Sequence, residues 1–177
     1  MVTSRSVPSQ AIRVLLKGGD RRSIGRSNQV VKLVLHARRR FAELIECLWS
    51  DDVIVRMRAA DAVEKVSSVQ PELLNPYKTE LLDLLGEVEQ SELRWHLAQI
   101  IPRLPLTRPE NVRAAQTFER YLEDRSSIVR TFALQALADI SRNDPELRPL
   151  VREILARSMV CGTAAMKARA RKLLYKR

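Results

Sequence analysis

Four segments of this chain place apolar residues at the same helical offsets, and their starts are separated by 38, 36 and 37 residues. The first holds Val55, Ala59, Ala62, Val63 and Val66. The second holds Leu93, Leu97, Ile100, Ile101 and Leu104, and the third Val129, Ala133, Ala136, Leu137 and Ile140. The fourth begins with Met166, Ala170, Leu173 and Leu174, but Arg177 takes its last place. Each set is one stripe of an α-helix. A second series runs ahead of it: Leu44/Leu48, Leu81/Leu85, Phe118/Leu122 and Leu155/Met159 repeat at steps of 37 residues. Two helices keeping one period through four copies specify stacked helix pairs, because each pair needs a neighbour to bury its apolar face. The chain is expected to be all-α.

Local chemistry sets the boundaries. Helices are expected near 39–49, 53–68, 76–87, 91–104, 108–123, 126–142, 145–158 and 163–175. Asn75-Pro76 and Asp144-Pro145 each place a capping side chain before a proline. Thr107 and Glu110 have capping-box spacing. Asp52, Ser91, Ser126 and Thr163 are expected caps of the second helices, and Pro102 should kink or end the helix that contains it. Ahead of the array, residues 1–7 read as a flexible tail. Pro8 to Lys17 reads as a short helix stopped by Gly18-Gly19, and Ser27 as the cap of a helix from Asn28 to about Ala37. Residues 1–37 thus form a basic tail and divergent helical cap. Residues 38–177 form one continuous domain of four pairs: 38–70, 71–105, 106–143 and 144–177.

Charge is unevenly distributed along this order. Residues 1–40 carry +9, residues 41–110 carry −6 and residues 111–177 carry +7, within a net charge of +10. The two basic ends, with Arg21, Arg22, Arg26 and Arg38-Arg39-Arg40 in one and Lys167, Arg169, Arg171, Lys172, Lys176 and Arg177 in the other, make nucleic acid a second partner class. Cys47 and Cys161 have neither a disulfide framework nor metal-ligand spacing. Two histidines, His36 and His96, lack a neighbouring carboxylate at ligand spacing, so no metal and no cofactor is expected. Phosphate-binding loops, nucleophile elbows and dinucleotide fingerprints are missing from the sequence. No apolar run is long enough to span a membrane. The first forty residues share the Arg-rich, acid-poor composition of a transit peptide, but Val30 to Leu35 reads as folded helix. A cytoplasmic protein is the default expectation.

The run Asp52-Val53-Ile54-Val55-Arg56 with Ala59-Ala60 and Val63 resembles a HEAT repeat. So does Ser127-Ile128-Val129-Arg130 with Ala133 and Leu137, and Leu93-Arg94 and Met166-Lys167 are weaker versions. The resemblance covers residues 39–175 and implies an α-solenoid of about four antiparallel pairs whose second helices line a concave face. It also implies protein binding more often than catalysis. Some DNA glycosylases that excise alkylated bases use HEAT-like helices too, and Asp61, Trp95, Arg58 and Arg94 are the residues that would serve there.

Candidate binding residues follow from the register. Arg56, Arg94, Arg130 and Lys167 form a basic ladder, either bonding neighbouring turns or meeting a ligand. Arg58, His96, Phe132 and Arg169, then Asp61, Gln99, Gln135 and Lys172, form two rows on the polar side of the second helices. Trp95 is the candidate aromatic anchor, and Trp49 is expected to pack. The leading expectation is a non-enzymatic scaffold that binds a protein or peptide through Arg58, Asp61, Trp95, His96, Gln99, Phe132, Gln135 and Arg169.

Overall fold

The computed structural model describes residues 11–20 and 23–175, and within them the chain is helical with no strand. The expected tail at residues 1–7 lies outside the described residues, as do Arg21, Arg22, Lys176 and Arg177 of the basic ends. No helix among the described residues is long and apolar enough to cross a membrane. The chain divides into two compact units, Met1–Val69 and Gln70–Arg177.

In the first unit α1 (Ile12–Leu16), α2 (Ser27–His36) and α3 (Phe41–Glu46) pack on α4 (Val53–Val69). The stripe Val55, Ala59, Ala62, Val63 and Val66 is wholly buried, which is the role its spacing assigns it. Asp52 caps α4, its Oδ1 accepting from the Ile54 N–H at 2.9 Å. Ser27 behaves differently from expectation. It is the first residue of α2 rather than its cap, and its hydroxyl donates to Asp61. Cys47 is buried in a 3-10 turn, Cys47–Trp49, where burial and the nearby Glu43 carboxylate push its thiol up to about 11. It is a packing group.

The second unit contains α5 (Lys78–Glu87), α6 (Ser91–Ile100), α7 (Arg108–Tyr121), α8 (Ser127–Asn143), α9 (Arg148–Cys161) and α10 (Ala164–Tyr175). The stripes on α6 and α8 are buried from Leu93 to Leu104 and from Val129 to Ile140. On α10, Met166 and Ala170 are buried while Leu173 and Leu174 are half-exposed. Helix α8 packs against α6 and α10 on either side, and against α7 and α9.

Several helix ends differ from the sequence reading for identifiable reasons. Pro71 and Pro76 each remove a backbone donor, so Pro71–Tyr77 winds as 3-10 and α5 starts at Lys78, without a cap bond from Asn75. Gln90, not Ser91, precedes α6. Pro102 ends α6 at Ile100, and Ile101–Arg103 continues as 3-10. Ser126 and Thr163 do cap, accepting from Val129 N and Met166 N at 3.4 and 3.3 Å. Asp144 accepts from Glu146 N at 3.2 Å.

The box at the start of α7 is formed. Glu110 Oε2 accepts from the Thr107 N–H at 2.7 Å and from Lys78 Nζ at 2.9 Å. These bonds, the backbone one foremost, hold the Glu110 carboxyl at about 2 against an ordinary 4.5. A lowered value means that the contribution to stability is present above the ordinary pKa and lost as pH falls through the folded one. Glu110→Ala is therefore expected to lower the melting temperature at pH 7, and the deficit should shrink as pH falls from about 4.5 through about 2. Parallel melting curves across that range measure it; a constant deficit would contradict the assignment.

Candidate binding site on the second helices

The polar rows of the register separate into two kinds of place. In the first unit, Arg58 and Asp61 stand where the sequence suggested an open binding surface, and both are buried. Arg58 Nε donates to the Ser23 carbonyl at 3.0 Å, and Nη1 to Leu16, Lys17 and Gly18 carbonyls at 2.9, 3.5 and 2.5 Å. Nη2 donates to the Asp20 carbonyl at 3.1 Å. Leu16 ends α1, so its carbonyl is one of those that a helix terminus leaves without an intrahelical donor. Gly25, with φ +53°, lies against the guanidinium so closely that a Cβ would meet Arg58 Cζ at 2.6 Å. Asp61 accepts from the Ser27 hydroxyl and from Lys65 Nζ at 2.7 Å, and Lys65 also reaches Asn28 Oδ1 at 2.9 Å. The carboxylate that base excision would require is thus committed to structural partners. Both residues tie the segment before α2, and α2 itself, onto α4. They are corrected from binding residues to buried polar anchors.

In the second unit four predicted residues come together. Helix α8 lies between α6 and α10, which brings Gln99, Phe132, Gln135 and Arg169 to one open cavity of about 440 Å³. Pro102, Arg103, Asp139, Arg142 and Asn143 complete its lining. Arg169 Nη1 donates to Gln135 Oε1 at 2.8 Å, and its guanidinium carbon lies 5.5 Å from the centre of the Phe132 ring. Gln135 Nε2 donates to both Asp139 oxygens at 2.9 and 3.0 Å, and Arg142 Nη1 donates to Asp139 Oδ1 at 2.5 Å. The result is a chain of polar groups beside an aromatic wall, in a lining that holds three guanidinium groups and one carboxylate. Such a wall offers donors to peptide carbonyls and carboxylates and an apolar face to a side chain.

Other predicted residues lie elsewhere. Trp95 and His96 are half-buried beside each other, their ring centres 5.6 Å apart, and the Trp95 carbonyl accepts from Gln99 Nε2 at 3.2 Å. Neither lines the cavity, and neither does Lys172. Trp49, expected to pack, is exposed. The rows did not single out Asp139, Arg142 and Arg103. Asp139 and Arg142 follow Gln135 at offsets of four and seven, a helical spacing visible in the sequence. Arg103 is positioned by the 3-10 turn Ile101–Arg103, which contains Pro102.

The basic ladder divides as well. Arg56 Nη1 donates to the Ser50 carbonyl at 2.6 Å, and Arg94 Nε to the Val88 carbonyl at 2.8 Å, each six residues back. Arg94 Nη1 also reaches Asp124 Oδ2 at 2.6 Å. Arg130 and Lys167 make no such bond to residues 124 and 161, and Arg130 Nε is buried with no hydrogen-bond partner. Among the described residues no group of three or more His, Cys, Asp or Glu side chains could hold a metal ion.

Because Arg58 gathers five carbonyls with a planar fork, a lysine there keeps the charge but leaves several acceptors without donors. Arg58→Lys is expected to destabilise the first unit by about 3 kcal/mol. Half-exposed Arg169→Lys should cost under about 1 kcal/mol. Hydrogen exchange resolved by unit checks both, and equal effects would remove the distinction.

Comparison with protein-family models and with curated proteins gives no match to this chain.

Proposed function

We propose that this chain is a binding scaffold of HEAT-like α-solenoid type, and that a protein or peptide segment docks across α6, α8 and α10. The observation that carries this reading is the convergence of Gln99, Phe132, Gln135 and Arg169 on one open cavity. The solenoid element is supported by burial of the repeated stripes and by α8 packing on both α6 and α10. It is also supported by the matching bonds of Arg56 and Arg94 to carbonyls six residues back. Three arginines against Asp139 favour an acidic segment, and Phe132 and Pro102 offer the apolar contact that fixes its register. The reading assigns the chain no catalytic residue, metal or cofactor. It places the chain in the cytoplasm, a compartment in which free thiols such as Cys47 and Cys161 persist.

The double variant Phe132→Ala/Arg169→Glu removes the aromatic wall and reverses one charge on half-buried positions. In affinity capture from native lysate, the unmodified chain is expected to retain a protein that survives nuclease treatment. The variant should retain at least about tenfold less, a loss of about 1.4 kcal/mol, with its melting temperature nearly unchanged. Equal capture by both chains sinks the reading. Capture abolished by nuclease favours nucleic-acid binding through the basic ends, which would also weaken steeply with added salt.

A further inference from the structure

The second unit holds Arg94 in a clamp, and the next helix pair repeats the arginine without the clamp. Arg94 donates to Val88 and Asp124, and its guanidinium carbon lies 5.2 Å from the centre of the Tyr121 ring. The Tyr121 hydroxyl donates to the Leu85 carbonyl at 2.6 Å, which fixes the ring. Asp124 is almost fully buried by the arrangement, its side chain 4% exposed. One period later, Arg130 stands where Arg94 did. The 37-residue step that relates Leu122 to Met159 relates Tyr121 to Ser158 and Asp124 to Cys161. Arg130 is therefore offered neither a ring nor a carboxylate at the equivalent positions. The Ser158 hydroxyl turns back to the Ile154 carbonyl at 2.8 Å.

What stands there instead is a cavity of about 470 Å³, lined in part by Arg130, Arg157, Ser158, Cys161 and Thr163. The buried Nε of Arg130 has no hydrogen-bond partner. Arg157 brings a second guanidinium, and Glu123, exposed, is the one acidic residue of the lining. Gly162 forms part of the wall between α9 and α10. A Cβ there would collide with the Ser158 carbonyl and reach 2.9 Å from Met166 Cβ, so main chain fixes that side. The space is large enough for a ring and a carboxylate together.

We infer that this cavity binds an aromatic carboxylate. Its carboxylate takes the place of the Asp124 side chain against Arg130, with Arg157 beside it, and its ring takes the place of Tyr121. The ligand chemistry is shared by a free arylalkanoic acid and by a peptide ending in an aromatic residue with a free C-terminus. Glu123 competes for the same guanidinium groups. The site is separate from the α6–α8–α10 cavity and stands whether or not that cavity binds a partner.

The test is a titration of the isotope-labelled full chain, followed by the amide resonances of residues 130 and 158–166. The probes are 3-phenylpropionate, its neutral amide, inorganic phosphate, and an Ala-Ala-Phe peptide with free or amidated C-terminus. Saturable shifts are expected for 3-phenylpropionate, with the amide at least about tenfold weaker. Cys161→Asp restores the internal acid. It should raise the melting temperature and weaken binding at least about tenfold, whereas Glu123→Gln should tighten it. Arg130→Gln should abolish the shifts, giving a second route if the aspartate variant folds poorly. The free-acid peptide binding more tightly than 3-phenylpropionate identifies a chain terminus as the ligand, and the reverse identifies a small acid. Acid and amide binding alike would falsify the proposal. So would phosphate binding as tightly as the acid, undiminished affinity in Cys161→Asp, or no shifts up to about 20 mM.

Discussion

A guanidinium withdrawn from water has to find oxygen acceptors, and this chain's polar architecture is organised around that demand. Arg58 meets it without a carboxylate. Its three nitrogens are directed at the carbonyls of Leu16, Lys17, Gly18, Asp20 and Ser23, the strip that leads from α1 towards α2. The side chain thus fixes a segment that has no helix of its own to satisfy its backbone. Gly25 is needed because the guanidinium occupies the space a side chain would take. Glu43 acts at the other end of α1, accepting from the Ile12 N–H at 2.5 Å while it also binds Arg40. A five-residue helix is too short to persist alone, and these two anchors supply what its length lacks.

The same demand is answered differently at each turn of the register. Arg56 and Arg94 reach a carbonyl six residues back, and Arg94 adds a carboxylate and an aromatic face. Arg169 turns to an amide and a ring on the neighbouring α8. The apolar stripes, by contrast, are buried alike on α4, α6 and α8, and on α10 only Met166 and Ala170 follow them. Periodicity therefore governs the core, and each polar residue is fixed by whatever its local neighbours present.

That division explains what could be read from the sequence. Helix pairs, the stripe from Val55 to Val66 and its successors, the Thr107–Glu110 box and the effect of Pro102 follow from spacing and local chemistry. The burial of Arg58 and Asp61 does not. Neither belongs to the apolar stripe of α4: Asp61 is held by Lys65 and by Ser27 of α2, and Arg58 by the non-repeating segment ahead of α2. Its carbonyl oxygens belong to the backbone and leave no side-chain pattern to detect. Ser27 and Ser91 illustrate a smaller gap. Each occupies the first helical position instead of the cap, a one-residue difference that capping statistics do not resolve. On α8 the offsets joining Gln135 to Asp139 and Arg142 were present in the sequence, but their meeting with Arg103 and Arg169 depends on packing between helices.

The α6–α8–α10 cavity and the cavity at Arg130 differ in the state of their arginines, and this bears on the kind of ligand each suits. At the α6–α8–α10 face, Arg169 and Arg142 already hold Gln135 and Asp139. A ligand there shares or replaces existing bonds, so each polar contact contributes little net energy and affinity must come from area and shape. At Arg130 a buried Nε lacks an acceptor, an arrangement that costs on the order of 1–3 kcal/mol in the free chain. A carboxylate placed against Arg130 adds a charge-assisted bond that the free chain lacks. The first cavity is suited to an extended, adaptable partner, and the second to a small group of defined shape and charge. The repeated register makes the contrast legible, because the Arg94 clamp shows what Arg130 lacks.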